Sequence, residues 1–275
     1  MPELPEVEIT KQGIRNRIFQ KKLNKIVIRN NRLRWPIDNN TDEILKERIV
    51  LDCTRRSKYI LIHFEHGIQF IHLGMSGSLQ FSYLDKPLEK HDHVEWIFEE
   101  FALRLNDPRR FGAVIWHPYE NGPIELHPLI NKLGIEPFSN DFTGEYLYNK
   151  FKINNTNIKQ ALLNGKIVVG IGNIYASEIL FKSRINPFLK TKYLSINQCE
   201  ELAQIIIETL NEAIASGGSS IKNFVDSNGK QGSYIEKYAY VYNREGKQCK
   251  ICKKNDIIKI YQNNRSTYYC PLCQD

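Results

Sequence analysis

The sequence predicts an α+β protein with a leading helix, a β-rich N-terminal region, a helical region and a cysteine-bearing tail. Short apolar runs separated by turn signals fill 25–117, which favours a β-sandwich or barrel. Apolar residues at helical spacing follow from 143 to 215. Two CxxC pairs lie near the C-terminus, a spacing typical of a structural metal site.

Composition limits the class of protein. The 275 residues are enough for two modest cores, and their make-up is that of a globular chain. Lys and Arg number 38 against 31 Asp and Glu, and the net charge of +7 favours nucleic acid or an acidic membrane surface as a partner. No apolar stretch is long enough to cross a bilayer, and the acidic, proline-containing start is unlike a signal peptide. We therefore expect an intracellular protein whose six cysteines form no disulfide framework.

The N-terminal region begins with a helix predicted over 5–19. Pro5 suits a first helical position, and Val7, Ile14 and Ile18 fall on one face. Short β-type runs follow, separated by turn signals such as EHG, SG and NDP. The predicted strands cover 25–28, 59–64, 68–72, 93–98, 102–105 and 113–116.

The second half of the chain is predicted to be helical. A segment rich in Pro, Gly and Asn, 118–140, marks the boundary. Helices are predicted over 143–151, 157–163, 174–182 and 196–215, and a Gly/Ser/Asn-rich segment, 217–233, precedes the tail. The predicted domains are therefore 1–133, 134–245 and 246–275.

The cysteine tail carries the strongest chemical signal. Each CxxC pair makes a tight turn that directs two thiolates at one ion, and two such turns complete a tetrahedron of four thiolates. Free thiols or two disulfides are the alternative, and Cys53 and Cys199 are interpreted as small core residues. The expected ligands of one structural zinc are Cys249, Cys252, Cys270 and Cys273.

A hairpin is predicted between the two cysteine pairs, with strands at 257–261 and 266–269 and a turn at Asn263-Asn264. Its geometry puts Arg265 at or beside the tip. A cation there could grip a phosphate, or it could be a solvated charge.

Three further features suggest nucleic acid, each weakly. Gly170, Gly172 and Asn173 directly precede a helix, where free amides attract phosphate, although an Asn there is more often an N-cap. The loop 106–112 projects Arg109, Arg110 and Phe111 between two strands, which fits a wedge that enters a base stack. Met75, flanked by glycines, is a second candidate wedge, although Phe and Met are usually core residues.

Motifs spread over the whole chain resemble those of the formamidopyrimidine-DNA glycosylase family. They are 1–8 (MPELPEVE), Lys58-Tyr59, 72–77 (HLGMSG), 90–93 (KHDH), 106–112 (NDPRRFG), 170–176 (GIGNIYA) and 264–270 (NRSTYYC). The resemblance implies an N-terminal β-sandwich with a leading helix, then a helix–two-turn–helix domain ending in a zinc ribbon. One departure is Asn164-Gly165, where the family more often has Asp-Gln, at a predicted helix end.

The resemblance also implies a chemistry and the residues that perform it. After removal of Met1, the secondary amine of Pro2 would attack the sugar of a damaged nucleotide, and Glu3 would act as the acid–base group. Glu6 would orient the site, and Lys58 would approach the lesion phosphate. The implied activity is a bifunctional DNA glycosylase/AP lyase that excises oxidised purines by β,δ-elimination, with Arg265 aiding the second elimination.

Further residues would contact the DNA, again by resemblance. Met75, Arg109 and Phe111 would fill the space left by the everted base, and 217–233 would close over that base. The implied contacts to the DNA backbone are His91, Lys159, Asn173 and Arg265, and His72 is a further implied DNA-binding residue.

Two other functions remain open on the sequence. An endonuclease VIII-type enzyme would act on oxidised pyrimidines, and a zinc-ribbon protein could bind damaged DNA without catalysis. The expected partner is double-stranded DNA containing an oxidised base. We expect a monomer in the bacterial cytoplasm, associated with the nucleoid.

Overall fold

The computed structural model describes residues 1–219, 226–227, 229 and 231–274. The chain divides into two compact units, Met1–Asn131 with Ser216–Gly232, and Lys132–Ala215 with Ser233–Asp275. The predicted boundaries put 217–233 in the second domain, whereas Ser216–Gly232 groups with the N-terminal unit because Ser219 is hydrogen-bonded to Glu6. The cysteine tail, predicted as a separate domain, belongs to the second unit.

The N-terminal unit has two helices, α1 (Leu4–Ile18) and α2 (Thr41–Leu45). Its strands are β1 (Lys22–Leu23), β2 (Lys25–Ile28), β3 (Arg48–Ile49), β4 (Asp52–Arg56), β5 (Tyr59–Phe64), β6 (Gly67–His72), β7 (Ser78–Tyr83), β8 (Asp92–Ile97), β9 (Phe101–Asn106) and β10 (Ala113–Pro118). They form two four-stranded antiparallel sheets, β10-β6-β5-β4 and β2-β8-β9-β7, while β1 pairs with β3.

Both sheets contribute to one hydrophobic core, so the N-terminal unit is a β-sandwich. Ile60 and Ile71 enter this core from the first sheet, and Leu103 and Leu105 enter it from the second. Helix α1 packs against β4 and adds its apolar face to the same core.

The second unit contains five α-helices and a hairpin within its described residues. They are α3 (Gly144–Lys152), α4 (Ile158–Leu163), α5 (Asn173–Lys182), α6 (Ile196–Ala215), α7 (Tyr234–Tyr238), β11 (Ile258–Gln262) and β12 (Arg265–Tyr269). Gly165, with a left-handed φ of 69°, follows α4 and allows the chain to leave the helix. Among the described residues, no helix combines the length and the apolar character that crossing a bilayer requires.

A buried carboxylate fixes the start of the cysteine tail to α5. Glu178 accepts hydrogen bonds from the backbone N–H groups of Tyr240, Val241 and Tyr242 at 2.7–3.0 Å. Burial raises the pKa of Glu178, and the three amide donors oppose that shift. These bonds set the direction in which the chain enters the metal-binding segment.

The predicted strands and long helices are present, most within one or two residues of their predicted ends. The α-helices and strands that sequence reasoning missed are β1, β3, β4, β7, α2 and α7. Strand β4 has the sequence DCTRR, which shows no simple alternation of apolar and polar residues, whereas β7 has SLQFSY, an alternation that could have predicted it. Both segments pair with a neighbouring strand, and for β4 this pairing, rather than a local pattern, makes the segment extended.

Candidate active site

The start of α1 buries two carboxylates close to the N-terminus. Glu3 is the N-cap residue and forms a reciprocal capping box with Glu6, in which the Glu3 backbone N–H donates to Glu6 Oε2 at 2.8 Å. Pro2 is buried, Glu3 is 2% exposed and Glu6 is fully buried. Acidic side chains at a helix N-terminus are stabilised by the free amides there, which helps this site to tolerate buried charge.

The terminal ammonium, carried here by Met1, lies in the electrostatic field of this group. Burial lowers its pKa most, the carboxylates of Glu3 and Glu6 oppose that shift, and the cations Lys58 and Arg109 add to it. The net effect is a lowered pKa, so more of the amine is uncharged at neutral pH than for an ordinary N-terminus. An uncharged amine is the nucleophilic form.

Glu6 also binds the segment that follows α6. Its Oε1 accepts hydrogen bonds from Ser219 N at 2.7 Å and from Ser219 Oγ at 2.8 Å. Gly218 has a φ of 83°, and a Cβ there would lie 3.0 Å from Glu6 Oε1, so glycine suits this close approach. Sequence reasoning missed Ser219, because nothing local links residues 213 apart. The predicted capping segment 217–233 lies partly outside the described residues, which omit 220–225, 228 and 230.

Lys58 lies in the two-residue turn between β4 and β5, where Arg56 pairs with Tyr59. The preceding Ser57 adopts a left-handed φ of 56°, as tight hairpins require of at least one turn residue. Lys58 is half-buried and lowers the pKa of both the terminal amine and His72, so its charge acts on both groups.

His72, at the end of β6, is held as a neutral imidazole. Its Nδ1 accepts a hydrogen bond from Gly74 N at 3.0 Å, which leaves the proton on Nε2. Burial lowers the pKa of His72 to about 4; Lys58 and Arg34 lower it too, and Asp107 opposes them. At neutral pH this side chain is therefore a hydrogen-bond donor without a net charge.

One buried aspartate joins the two loops that carry the predicted wedges. Asp107 Oδ1 accepts from Ser76 Oγ at 2.8 Å and from Arg109 N at 3.3 Å, and Oδ2 accepts from Gly112 N at 2.7 Å. The glycines pack the loops tightly, since a Cβ on Gly74 would lie 2.4 Å from the Phe111 backbone. Asp107 is a residue that the sequence analysis did not single out.

The predicted wedge side chains project from these anchored loops. Met75 is 43% exposed and Phe111 is 45% exposed, an unusual position for large apolar side chains. Arg109 is also exposed, and its guanidinium lies 4.7 Å from the centroid of the Phe111 ring. His91 is half-buried, and its carbonyl accepts from Asp107 N at 3.0 Å.

We expect Asp107→Asn to lower the melting temperature. Asparagine has the same shape as aspartate, but one of its two terminal groups is an NH2, which donates hydrogen bonds. Ser76 Oγ, Arg109 N and Gly112 N are all donors, so at least one of these buried groups loses its acceptor. Such a loss costs about 1–3 kcal/mol, equivalent to a fall of several degrees in Tm. Thermal unfolding measures the effect, with Asn substituted for the exposed Asp85 (Asp85→Asn) as a matched control. Equal melting temperatures for the two variants would contradict the role of Asp107.

In the second unit, Asn173 is the first residue of α5 and Gly172 is the N-cap, so Asn173 does not cap the helix. Its Nδ2 donates to Ser266 Oγ at 3.4 Å. Its Oδ1 is buried and accepts no hydrogen bond within the described part of the chain. The preceding Gly170 has a φ of 84°, which fits the glycine-dependent turn that the sequence predicts.

Lys159 does not have the position expected of a DNA-backbone contact. It is fully buried, and its ammonium donates to Ser266 O at 2.8 Å and to Thr267 Oγ1 at 2.7 Å. The sequence analysis expects Lys159 at the DNA backbone, whereas here its ammonium holds the hairpin from inside the unit. Sequence reasoning could not detect this, because a lysine on a short helix is usually exposed.

The hairpin has the predicted form. Gln262 pairs with Arg265, and Asn263 and Asn264 have left-handed φ values of 47° and 59°, as a type I′ turn requires. Arg265 is exposed beside the tip.

The four predicted ligands converge beneath this hairpin. The sulfur atoms of Cys249, Cys252, Cys270 and Cys273 all lie within 4.8 Å of one another. The Cys249–Cys273 sulfurs are 3.9 Å apart and the Cys252–Cys270 sulfurs 3.7 Å apart, too far for disulfides. Cys53 and Cys199 are buried elsewhere, as predicted for core residues.

Comparison with known proteins identifies relatives over the full chain. Residues 1–114 match the family model described as the formamidopyrimidine-DNA glycosylase N-terminal domain, and 133–225 match that of the formamidopyrimidine-DNA glycosylase H2TH domain. The formamidopyrimidine-DNA glycosylase of Bordetella petrii is 50% identical over 274 residues, covering 100% of this chain and 99% of the relative. That of Burkholderia thailandensis is 46% identical, with 100% of both chains covered.

Solved structures show the same similarity. A complex of Lactococcus lactis Fpg with DNA containing an abasic site aligns with a TM-score of 0.90 and 31% identity over 99% of both chains. A complex of a variant of that protein with DNA containing Fapy-dG aligns with a TM-score of 0.90 and 32% identity over 100% of both chains.

Proposed function

Because this chain belongs to the formamidopyrimidine-DNA glycosylase family, we propose that it excises oxidised purines from DNA and then cleaves the strand. The proposed substrates are 8-oxoguanine and formamidopyrimidines in double-stranded DNA. The observation that carries this proposal is the buried group at the N-terminus: an amine of lowered pKa beside Glu3, Glu6 and Lys58.

The first proposed step is nucleophilic attack by Pro2. Removal of Met1 converts the Pro2 amide into a secondary amine in the same buried surroundings, which favour its uncharged form. Its lone pair forms a bond to the anomeric carbon, and the bond from that carbon to the damaged base breaks. Glu3 protonates the ring oxygen of the sugar, so the ring opens and an iminium ion links Pro2 to the sugar.

The second proposed step is elimination. The iminium acidifies the adjacent carbon, a base removes its proton, and the bond to the 3′ phosphate breaks; a further elimination releases the 5′ phosphate. Glu3 can carry these protons, while Lys58 stabilises the lesion phosphate. Glu6 keeps Glu3 in position through the capping box. We assign Arg265 to the flanking phosphate and to assistance of the second elimination.

The DNA contacts are proposed on the geometry of each loop. Met75 and Phe111 are exposed apolar side chains on anchored loops, so they can fill the space of an everted base. Arg109, stacked on Phe111, is assigned to the orphaned base, preferably cytosine. His72, His91, Asn173 and Arg265 are assigned to the sugar–phosphate backbone.

The metal that fits the four cysteines is zinc. A tetrahedral ion with bonds of about 2.3 Å to sulfur requires sulfur–sulfur distances of about 3.8 Å. The Cys249–Cys273 and Cys252–Cys270 sulfur pairs, 3.9 and 3.7 Å apart, agree with this requirement. Four thiolates leave no open coordination position, so the ion would stabilise the hairpin that carries Arg265 and take no part in the reaction.

Loss of the metal is expected to weaken DNA binding. Cys252→Ser should remove one zinc per chain and reduce duplex affinity about tenfold to hundredfold, the worth of one or two charge-assisted contacts. Native mass spectrometry and fluorescence anisotropy measure the two effects. Cys199→Ala, which changes a buried cysteine outside the cluster, should keep the zinc. Wild-type protein that carries no zinc when purified without chelators would refute the assignment.

Borohydride trapping tests the proposed function. The wild-type protein is mixed with a duplex carrying 8-oxoguanine opposite cytosine, reduced, and mapped by mass spectrometry. An adduct at Pro2 that is absent with undamaged duplex and with an oxidised pyrimidine supports both reaction and substrate class. An adduct only with the pyrimidine lesion would indicate an endonuclease VIII-type enzyme. No adduct with any lesion, from zinc-loaded protein without Met1, would indicate a binding protein.

We further propose that the protein acts as a monomer in the bacterial cytoplasm, where it is associated with the nucleoid. The net charge of +7 supports association with DNA.

A further inference from the structure

A cavity of about 960 Å³ lies in the N-terminal unit beside β10, and none of the proposed site residues lines it. Three consecutive residues of β10 border it: Val114, Ile115 and Trp116. Because neighbouring side chains of a strand point to opposite faces, a cavity bordered by all three runs along the edge of the strand. Strand β10 is an edge strand, and no described residue forms a β-bridge to its outer side. We call this cavity the β10 groove.

Aromatic rings form part of the groove wall. Trp116 is supported from behind by His66 at 5.0 Å and Phe64 at 6.0 Å between ring centroids, and a Cβ on Gly67 would lie 2.5 Å from its ring. Tyr119 is anchored by its backbone N–H, which donates to His66 O at 3.0 Å. The ring of Trp35 also lines the groove, and Arg34 already lies over it at 4.7 Å. Trp116 and Tyr119 therefore offer the ring surfaces that a second cation could use.

The side chains that line the β10 groove carry negative charge, whereas the net charge of the whole chain is positive. Three exposed carboxylates line it, Asp38, Glu65 and Glu120; no Lys or Arg is among the described lining residues, and the nearby cation Arg34 lies over the ring of Trp35. The chain as a whole carries +7. Carboxylates at this density repel phosphate, so nucleic acid does not suit the groove, whereas a cationic group does.

One buried polar atom of a groove-lining residue lacks a hydrogen-bond partner among the described residues. Nδ1 of His66 is buried, and no described residue forms a hydrogen bond with it. Buried polar atoms in folded proteins are normally paired, so this atom is an unusual feature of a residue that lines the groove.

We propose that the β10 groove binds an extended segment of a partner protein that carries lysine or arginine side chains. The open edge of β10 provides backbone groups for strand addition, which is a common mode of peptide recognition. The carboxylates and the rings of Trp116 and Tyr119 select basic side chains. The volume is near the upper end of the range for ligand pockets, about 300–1,000 Å³, and exceeds the needs of a single side chain.

Tryptophan fluorescence provides a direct readout, because Trp35 and Trp116 line the groove and the third tryptophan, Trp96, is buried. Zinc-loaded full-length protein is titrated with the peptides acetyl-VKVKVK-amide and acetyl-VQVQVQ-amide. We expect saturable binding of the lysine peptide with a Kd below about 1 mM and much weaker binding of the glutamine peptide. The lysine peptide with alternate backbone N-methyl groups should also lose binding, because it cannot pair with β10.

Variants connect the binding to this groove. Glu65→Gln with Glu120→Gln should weaken the lysine peptide about tenfold, since exposed ion pairs each contribute little. The exposed pair Glu43→Gln with Glu236→Gln changes net charge equally and should have no such effect. Base excision should be unchanged in both variants, which separates this result from the proposed function.

Four results would overturn the proposal: no saturable binding at several millimolar, equal affinity for the glutamine peptide, equal weakening in both double variants, or full retention of binding by the N-methylated peptide. The last result, together with competition by tetramethylammonium, would indicate a small-cation site instead.

Discussion

Protein that retains Met1 is expected to form no borohydride-trapped adduct with DNA containing 8-oxoguanine. With Met1 attached, the nitrogen of Pro2 is an amide whose lone pair is delocalised, so it cannot attack the sugar. Base excision through the covalent intermediate should fall by at least about 10⁴-fold, since the nucleophile itself is lost. Two preparations, one with Met1 and one without, are compared by intact mass and by trapping yield.

A substitution separates the role of the amine from the role of the proline ring. Pro2→Gly, once Met1 is removed, presents a primary amine that can still form an imine, so trapping should persist at a reduced rate. The trapping rate of the wild-type protein should rise with pH as the ammonium loses its proton. Burial lowers the pKa of the terminal amine on Met1, and Pro2 is itself buried, so we expect the midpoint of this rise to lie below that of an ordinary N-terminal amine. Undiminished trapping by protein with Met1 attached would place the nucleophile elsewhere.

Glu3→Gln is expected to reduce base excision by about 10²–10⁴-fold, the usual contribution of a positioned acid–base group. The amide oxygen can still accept the capping hydrogen bond at the start of α1, so folding and zinc content should be retained. Affinity for a duplex with a stable abasic analogue should change little. We therefore expect the lower excision rate to reflect a lower kcat rather than weaker DNA binding, and single-turnover kinetics measure it.

The matched control for this variant is Glu43→Gln, which replaces an exposed carboxylate on α2. Its excision rate should equal that of the wild type. A Glu3→Gln protein that melts several degrees lower and binds DNA poorly would show that Glu3 is a structural cap. Full activity in Glu3→Gln would remove it from the reaction altogether.

Local spacing predicted much of this molecule. The cysteine cluster follows from two CxxC turns, the hairpin of Arg265 from consecutive asparagines, and the helix start from Pro5 and its neighbours. These features depend on residues close in the chain, where backbone geometry limits the possible arrangements. The family motifs then named Pro2, Glu3 and Lys58 as candidates for catalysis, a role that remains to be tested.

Other features were decided only by tertiary structure. Lys159 is buried because its partners, Ser266 and Thr267, lie more than 100 positions away, and no local pattern distinguishes it from a surface lysine. The bonds from Ser219 to Glu6 and the joining of two loops by Asp107 likewise require distant segments to meet.

The β10 groove shows the same division. Its rings and carboxylates come from three separated stretches, around 35–44, 65–66 and 114–129, and none of these stretches alone predicts a groove. The sequence by itself determined which residue types are present and the turns they make. Packing of the two sheets decided which side chains became buried or neighbours, because burial and charge interactions act through space and are independent of distance along the chain.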